Sequence, residues 1–293
     1  MNFVSLRRGP RLSQLRFGDF DGDGKTDVFT AVASGDGTHR WRFSSAGTEE
    51  FQDLRSGELG LRDLTFATRD VSHPNGARIV GHFDQDFDGD GKTDVFATRE
   101  VGDGVVWMMS RGGTERFSDL NDVVKPSTWI LADFDGNGMT DVFSWLPGDF
   151  TVQYVFWRDG RGRMERLGAG RVPVGLGDFD ADGKADIFTM GRQIDDETGE
   201  WLLSSGGINP ETVFGKGPST MRAFGDFDGD GRMDVFASRE LPDGTHRWGY
   251  HPGGAERFVD LAIGPAPGRG FENLGFGDFD GDGKTDVFAQ DCR

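Results

Sequence analysis

Gly18–Phe29 reads GDFDGDGKTDVF, and Gly277–Phe288 repeats it letter for letter. Four further stretches carry the same sentence with small changes: DFDGDGKTDVF from Asp86, DFDGNGMTDVF from Asp133, DFDADGKADIF from Asp178 and DFDGDGRMDVF from Asp226. Six copies of one stretch in 293 residues make a repeat protein, whose units bury their faces against their neighbours instead of folding alone.

The residues around each copy define the unit. LRFG from Leu15 precedes the first copy, and DVFTAVA, a β-branched and aromatic run that predicts a strand, overlaps its end. SGDGT then places Asp36-Gly37 at a turn tip, HRWRFSS forms a third strand, AGTEE turns, and FQDL from Phe51 closes the unit. The order recurs as DVFATRE, VVWMMS and GGTERFSDL, and again as DVFASRE, THRWGY and GGAERFVDL. In the looser third and fourth units, Trp157 and Trp201 mark the third strand.

Counted from the first Asp of each copy, the steps are 67, 47, 45, 48 and 52 residues. Four short strands at this period predict an all-β propeller of four-stranded antiparallel blades, six by the count of loops. Residues 1–293 read as one such domain. FVSL from Phe3 matches FQDL, FSDL and FVDL, which end other units. The N-terminus is therefore expected to pair with the C-terminal strands, closing the ring and hiding its sheet edges. The long first step leaves extra residues within 55–83, where DLTFATRDVSHPNG is similar to DVFATREVGDG. An insertion and a vestigial blade fragment both account for them.

Composition agrees with short strands. Glycine occurs 47 times, which interrupts every candidate helix, and 26 phenylalanines against few aliphatics require an aromatic core. A formal charge of −18 excludes a nucleic-acid surface, which needs basic residues. No apolar run is long enough to insert in a membrane. MNFVSLRRGPRL lacks the apolar stretch of a secretory signal, and the lone Cys292 excludes internal disulfides and cysteine zinc sites.

The six copies hold 23 of the 50 acidic residues, placed at positions 1, 3, 5 and 9 of each loop. Alternating oxygens on a tight turn can converge on one hard cation, with a backbone carbonyl from position 7, and this ligand chemistry suits Ca²⁺ better than Mg²⁺. The candidate ligands are Asp19, Asp21, Asp23, Lys25 and Asp27; Asp86, Asp88, Asp90, Lys92 and Asp94; and Asp133, Asp135, Asn137, Met139 and Asp141. The later loops offer Asp178, Asp180, Asp182, Lys184 and Asp186; Asp226, Asp228, Asp230, Arg232 and Asp234; and Asp278, Asp280, Asp282, Lys284 and Asp286. The Lys, Met and Arg residues serve through main-chain carbonyls. Asn137 makes the third loop one charge poorer, and Ala181 replaces a glycine in the fourth. Six Ca²⁺ ions would shift the formal charge from −18 to −6.

An EF-hand would need Glu at position 12 and flanking helices, whereas position 12 is Thr30, Ala97, Ser144, Thr189, Ala237 or Ala289, and strands flank every loop. Thrombospondin-type loops would bring many cysteines, and RTX nonapeptides would be contiguous. The six loops, the Val-Phe or Ile-Phe after each, the third-strand Trp and turns such as SRGGTERF from Ser110 resemble the FG-GAP or VCBS repeat family. That family includes the propellers of integrin α-subunits and Psathyrella velutina-type lectins. The resemblance implies calcium-loop blades, secretion or display at the cell surface, and, for the lectin type, seven blades with N-acetylglucosamine-containing glycans bound between them.

Sugar recognition needs a flat aromatic face with polar groups at its rim. Trp41, Trp107, Trp157, Trp201 and Trp248 recur once per unit, and His39-Arg40 and His246-Arg247 precede two of them. These residues are candidate glycan contacts; packing of the tryptophans between blades is the alternative. Glycans or glycoproteins are thus one expected partner class. Protein partners of an adhesion propeller, and service as an accessory module of an exported enzyme, are the others. No G-x-S-x-G, H-E-x-x-H or P-loop is present, the five histidines show no ligand spacing, and Glu49-Glu50 and Asp195-Asp196 read as solvated turns, so catalysis is not expected.

Overall fold

The computed structural model describes residues 10–60, 64–65, 85–125, 128–218, 223–255, 257–266 and 273–289. Blade 1 is the sheet β1 (Arg16–Gly18), β2 (Asp27–Ala33), β3 (His39–Ser44) and β4 (Gln52–Gly57), joined in that order by antiparallel pairing. Blade 2 is β5 (Leu64–Thr65), β6 (Val95–Val101), β7 (Gly104–Ser110) and β8 (Ser118–Asp119). Blade 3 holds β9 (Ile130–Ala132), β10 (Asp141–Leu146), β11 (Val152–Trp157) and β12 (Glu165–Gly170). Blade 4 holds β13 (Gly175–Gly177), β14 (Asp186–Gln193), β15 (Thr198–Ser204) and β16 (Thr212–Pro218). Blade 5 holds β17 (Ala223–Gly225), β18 (Asp234–Glu240), β19 (His246–His251) and β20 (Val259–Gly264). A sixth sheet pairs β21 (Leu274–Gly277) with β22 (Asp286–Ala289).

The protein is therefore an all-β propeller of four-stranded antiparallel blades, and the expected blade count is corrected. Among the described residues five blades are complete and the sixth repeat forms a two-stranded sheet. FVSL lies outside the described residues.

Phenylalanine builds the core twice per repeat. The Phe at position 2 of each loop meets the Phe at position 11, with ring centroids 5.1 Å apart for Phe20 and Phe29 and 4.7 Å for Phe134 and Phe143. The pairs Phe87–Phe96, Phe179–Phe188, Phe227–Phe236 and Phe279–Phe288 repeat the contact. Burial of each such ring is worth roughly 1.5–3 kcal/mol. Apolar clusters lie between consecutive blades: Phe29 and Trp41 pack with Val95 and Met108, and Phe143 and Tyr154 with Ile187. Phe17 of blade 1 contacts Phe279 and Phe288 of the sixth sheet at 5.5 and 5.6 Å.

In blade 2 the long first step separates β5 from the acidic loop in the chain. Leu64 and Thr65 pair with Ala97 and Phe96, while Gln85 accepts a hydrogen bond from Asp94 N–H at 2.5 Å. Both contacts lie along Asp94–Ala97, and Arg55, the expected start of the insertion, belongs to β4. Leu64–Thr65 of the expected vestigial copy is a first strand, whereas the segment it resembles is a second strand. Residues 66–84 lie outside the described residues.

Candidate metal centres

Each acidic loop joins the first strand of a blade to the second. Position 1 folds it: Asp19 Oδ1 accepts N–H bonds from Gly22 at 2.6 Å and Asp23 at 3.2 Å, and Oδ2 accepts one from Gly24 at 2.8 Å. Asp86 repeats this with Gly89 and Gly91, and Asp278 with Gly281 and Gly283. Position 5 accepts the position-7 N–H, at 2.9 Å for Asp23 and Lys25 and again for Asp90 and Lys92. The position-6 glycine lies in the left-handed region, at φ +82° for Gly24, with nothing within 4 Å of where a Cβ would stand; backbone conformation alone requires it.

Position 9 is the buried hub. Asp27 is fully buried; its Oδ2 accepts Phe20 N–H at 2.8 Å and its Oδ1 accepts Ala46 N–H at 2.9 Å. Ala46 sits in the short 3-10 turn Ser45–Gly47 after the third strand, at φ 50°. The equivalent turn residues Gly112, Asp159, Gly206 and Gly253 donate in the same way to Asp94, Asp141, Asp186 and Asp234. Burial pushes the carboxyls of Asp27, Asp94, Asp141, Asp186 and Asp234 up to about 7, and raises that of Asp286.

Carboxylate oxygens converge. Those of Asp19, Asp21 and Asp27 lie within 4.8 Å of one another, as do those of Asp133, Asp135 and Asp141 and of Asp178, Asp180 and Asp186. In the second and fifth loops the groups are Asp86, Asp88 and Asp90, and Asp226, Asp228 and Asp230. An all-oxygen donor set of this spacing fits a hard divalent cation. Asp228 Oδ1 is buried with no hydrogen-bond partner among the described residues, as a ligand atom would be.

The loops are also joined in a circuit that sequence reading missed. The position-8 N–H of each loop donates to the position-1 carbonyl of the preceding loop: Thr93 to Asp19, Thr140 to Asp86 and Ala185 to Asp133, each at 2.6 Å. Met233 donates to Asp178 at 2.8 Å, Thr285 to Asp226 at 2.6 Å, and Thr26 to Asp278 at 2.6 Å, which closes the circuit. A buried Thr at position 8 in four of six copies was the available signal. Its neighbour's glycine is the other half: a Cβ on Gly18 would stand 2.6 Å from Thr93.

The candidate glycan residues are placed differently. Trp41, Trp107, Trp201 and Trp248 are at most 1% exposed and Trp157 is 6% exposed, so all five belong to the core and present no face to a sugar. The burial of these candidate glycan contacts matches the alternative reading, in which the tryptophans pack between blades. In blade 3 the third-strand position belongs to Tyr154, opposite Trp145, as Trp41 is opposite Ala31; Trp157 pairs with Val142 near the strand's end. Glycines make room for these rings: a Cβ on Gly217 would collide with Trp201, and one on Gly264 with Trp248. Arg40 and Arg247 are exposed and face Asp53 at 3.6 Å and Asp260 at 3.1 Å. His246 Nδ1 is 2.8 Å from Ser238 Oγ, while His39 Nδ1 is buried.

A cavity of about 420 Å³ opens where the first loop meets blade 2, lined by Phe20, Asp88, Asp90, Lys92, Arg111, Thr114 and Glu115. Arg111 Nε approaches Asp88 Oδ2 to 2.9 Å at its wall.

Together these features define a propeller whose blades are stapled by acidic loops. The FG-GAP-like repeat profile matches residues 86–144, 178–237 and 226–289, more than half of the chain, and the protein belongs to that family. Among curated proteins none matches. Solved structures similar to it include TolB from Acinetobacter baumannii, at TM-score 0.46 and 12% identity over 85% of this chain. This chain spans 54% of that one, about half its length. The SapL1 lectin in complex with α-methyl fucoside is similar at TM-score 0.45 and 10% identity, over 91% of this chain and 86% of that one. A mutant form of Aleuria aurantia lectin in complex with α-methyl-L-fucoside gives TM-score 0.39 and 10% identity over 86% and 77%.

Proposed function

We propose that the chain is a calcium-stabilised propeller which acts by binding glycans outside the cell or at its surface and not by catalysis. The observation that carries the calcium reading is the convergence of three carboxylate oxygens within 4.8 Å in five of the loops. A position-7 carbonyl and water would bring each set towards the six to eight oxygens that Ca²⁺ takes. With a cation held there, the mutually repelling carboxylates would stay ionised, and function would fall to the surfaces between blades.

The glycan reading is supported by the cavity beside the second loop's cation site, where Arg111, Lys92, Thr114 and Glu115 supply hydrogen-bonding groups that suit a polyhydroxylated ligand. Because blades repeat, several weak sites could act together through avidity. A glycan array probed with the protein in calcium and in EDTA tests it. Retention of a glycan class in calcium, lost in EDTA as the blades loosen, is the expected result. A blank array in calcium at high protein concentration overturns the lectin reading and leaves an adhesion propeller that binds protein.

A further inference from the structure

Blade 3 departs from its neighbours at two positions that meet in space. Its loop carries Asn137 at position 5, where the other five loops carry Asp. Its 3-10 turn carries Asp159, where four other blades have Ala46, Gly112, Gly206 and Gly253. Asn137 Nδ2 donates to Asp159 Oδ1 at 3.0 Å. On its other side, Asn137 Oδ1 accepts Met139 N–H at 2.6 Å, the bond that a position-5 aspartate makes in the other loops.

Resting on the calcium reading, we propose that Asp159 is a positioning residue for the third cation site, replacing the carboxylate that Asn137 removes. The two hydrogen bonds fix the amide between a donor and an acceptor, so its oxygen stays on the loop side and its nitrogen is turned to Asp159. Asp133, Asp135, Asp141 and Asp159 restore four carboxylates, the number of the other loops. Blade 2 is the matched reference, since Arg111 approaches Asp88 there as Arg158 approaches Asp135 here. Elsewhere this turn position is mostly glycine, and the φ of 50° at Asp159 is one that glycine adopts freely. An aspartate held there has an electrostatic use that the backbone does not demand.

The test compares unaltered protein, Asp159→Gly, and the double variant Asn137→Asp with Asp159→Gly, which copies the pattern of blades 2, 4 and 5. Native mass spectrometry counts bound Ca²⁺ across a calcium titration, and melting is followed in calcium and in EDTA. Asp159→Gly is expected to fill one ion fewer at limiting calcium, with affinity at that site lower by on the order of ten-fold. It should melt no lower than unaltered protein in EDTA, and the double variant should regain the ion. An unchanged count for Asp159→Gly overturns the proposal, as does a loss of melting temperature in EDTA equal to that in calcium. If unaltered protein takes up no calcium, the calcium reading itself fails, a result distinguishable from the other two.

Discussion

The acidic loops and the third strands each recur once per blade, yet the two regions are held by different forces. In the loops, buried carboxylates accept main-chain N–H bonds: Asp27 is fully buried and binds Phe20 and Ala46, and its counterparts bind equivalent partners. In the third strands, buried indoles fill space between blades and are matched by glycines, as Trp201 is by Gly217. A polar hub tolerates no change of donor geometry, whereas a packed ring tolerates replacement by another ring. This is why the loop is written nearly unchanged six times while Tyr154 can stand where four blades have Trp.

The largest expected effect comes from removing metal. Each ion bound only to the native state at a hundred times its dissociation constant contributes about 2.7 kcal/mol, so EDTA should lower the melting temperature sharply. The metal-free protein should also respond to pH in a defined direction. Five position-9 carboxyls raised to about 7 from an ordinary 3.8 favour the protonated form when folded. The stability this gives is complete below about pH 4 and is lost as pH rises through about 7. Melting in EDTA is therefore expected to fall between about pH 4 and 7, and calcium should flatten that slope. Melts unaffected by EDTA, with no calcium found by elemental analysis, would remove the metal from the account of the loops.

Next in size is the packed region. Trp41→Ala, at a fully buried ring whose Nε1 donates to Leu59 O at 2.9 Å, should cost about 3–5 kcal/mol by chemical denaturation, in calcium and in EDTA alike. A cost that appears only in calcium would break the separation between the two regions. Gly24→Ala should cost about 1–2 kcal/mol, because φ +82° strains an L-residue even though nothing lies within 4 Å. Ala181, already at φ 63° in the fourth loop, indicates that such strain is bearable at position 4. A Gly24→Ala protein as stable as the parent would refute the strain account of position 6.

What could be read from sequence followed the same division. The loops announce themselves because ligand chemistry, turn geometry and strand entry are all encoded within twelve contiguous letters, and the propeller follows from their spacing. The third strands encode only that an aromatic is present; whether its face is buried depends on a neighbouring blade and on glycines such as Gly264, some 16 residues away in the chain. Asp159 is unreadable for a similar reason. It lies 22 residues from Asn137, and only the return of the third strand to the loop brings them together. Leu64–Thr65 reads as part of an insertion because its partners, Ala97 and Phe96, lie beyond a long excursion.

The smallest effect on stability separates two arginines. Arg40 and Arg111 are both about half exposed, and each faces one aspartate, Arg40 at 3.6 Å from Asp53 and Arg111 at 2.9 Å from Asp88. The Arg40–Asp53 pair is exposed at both ends, so Arg40→Ala should leave unfolding free energy within about 0.5 kcal/mol, whereas the Asp88 side chain is largely buried and Arg111→Ala should cost about 1 kcal/mol. Their effects on ligand should differ. Arg111 lines the cavity beside the second loop, and its loss removes hydrogen-bond donors from the proposed glycan contact, so Arg111→Ala should weaken retention on the array. Arg40 lies beside buried Trp41, whose ring offers no face to a sugar, and Arg40→Ala should leave binding unchanged. The opposite pattern, with glycan lost on changing Arg40 and kept on changing Arg111, would return recognition to the third strands and away from the loops.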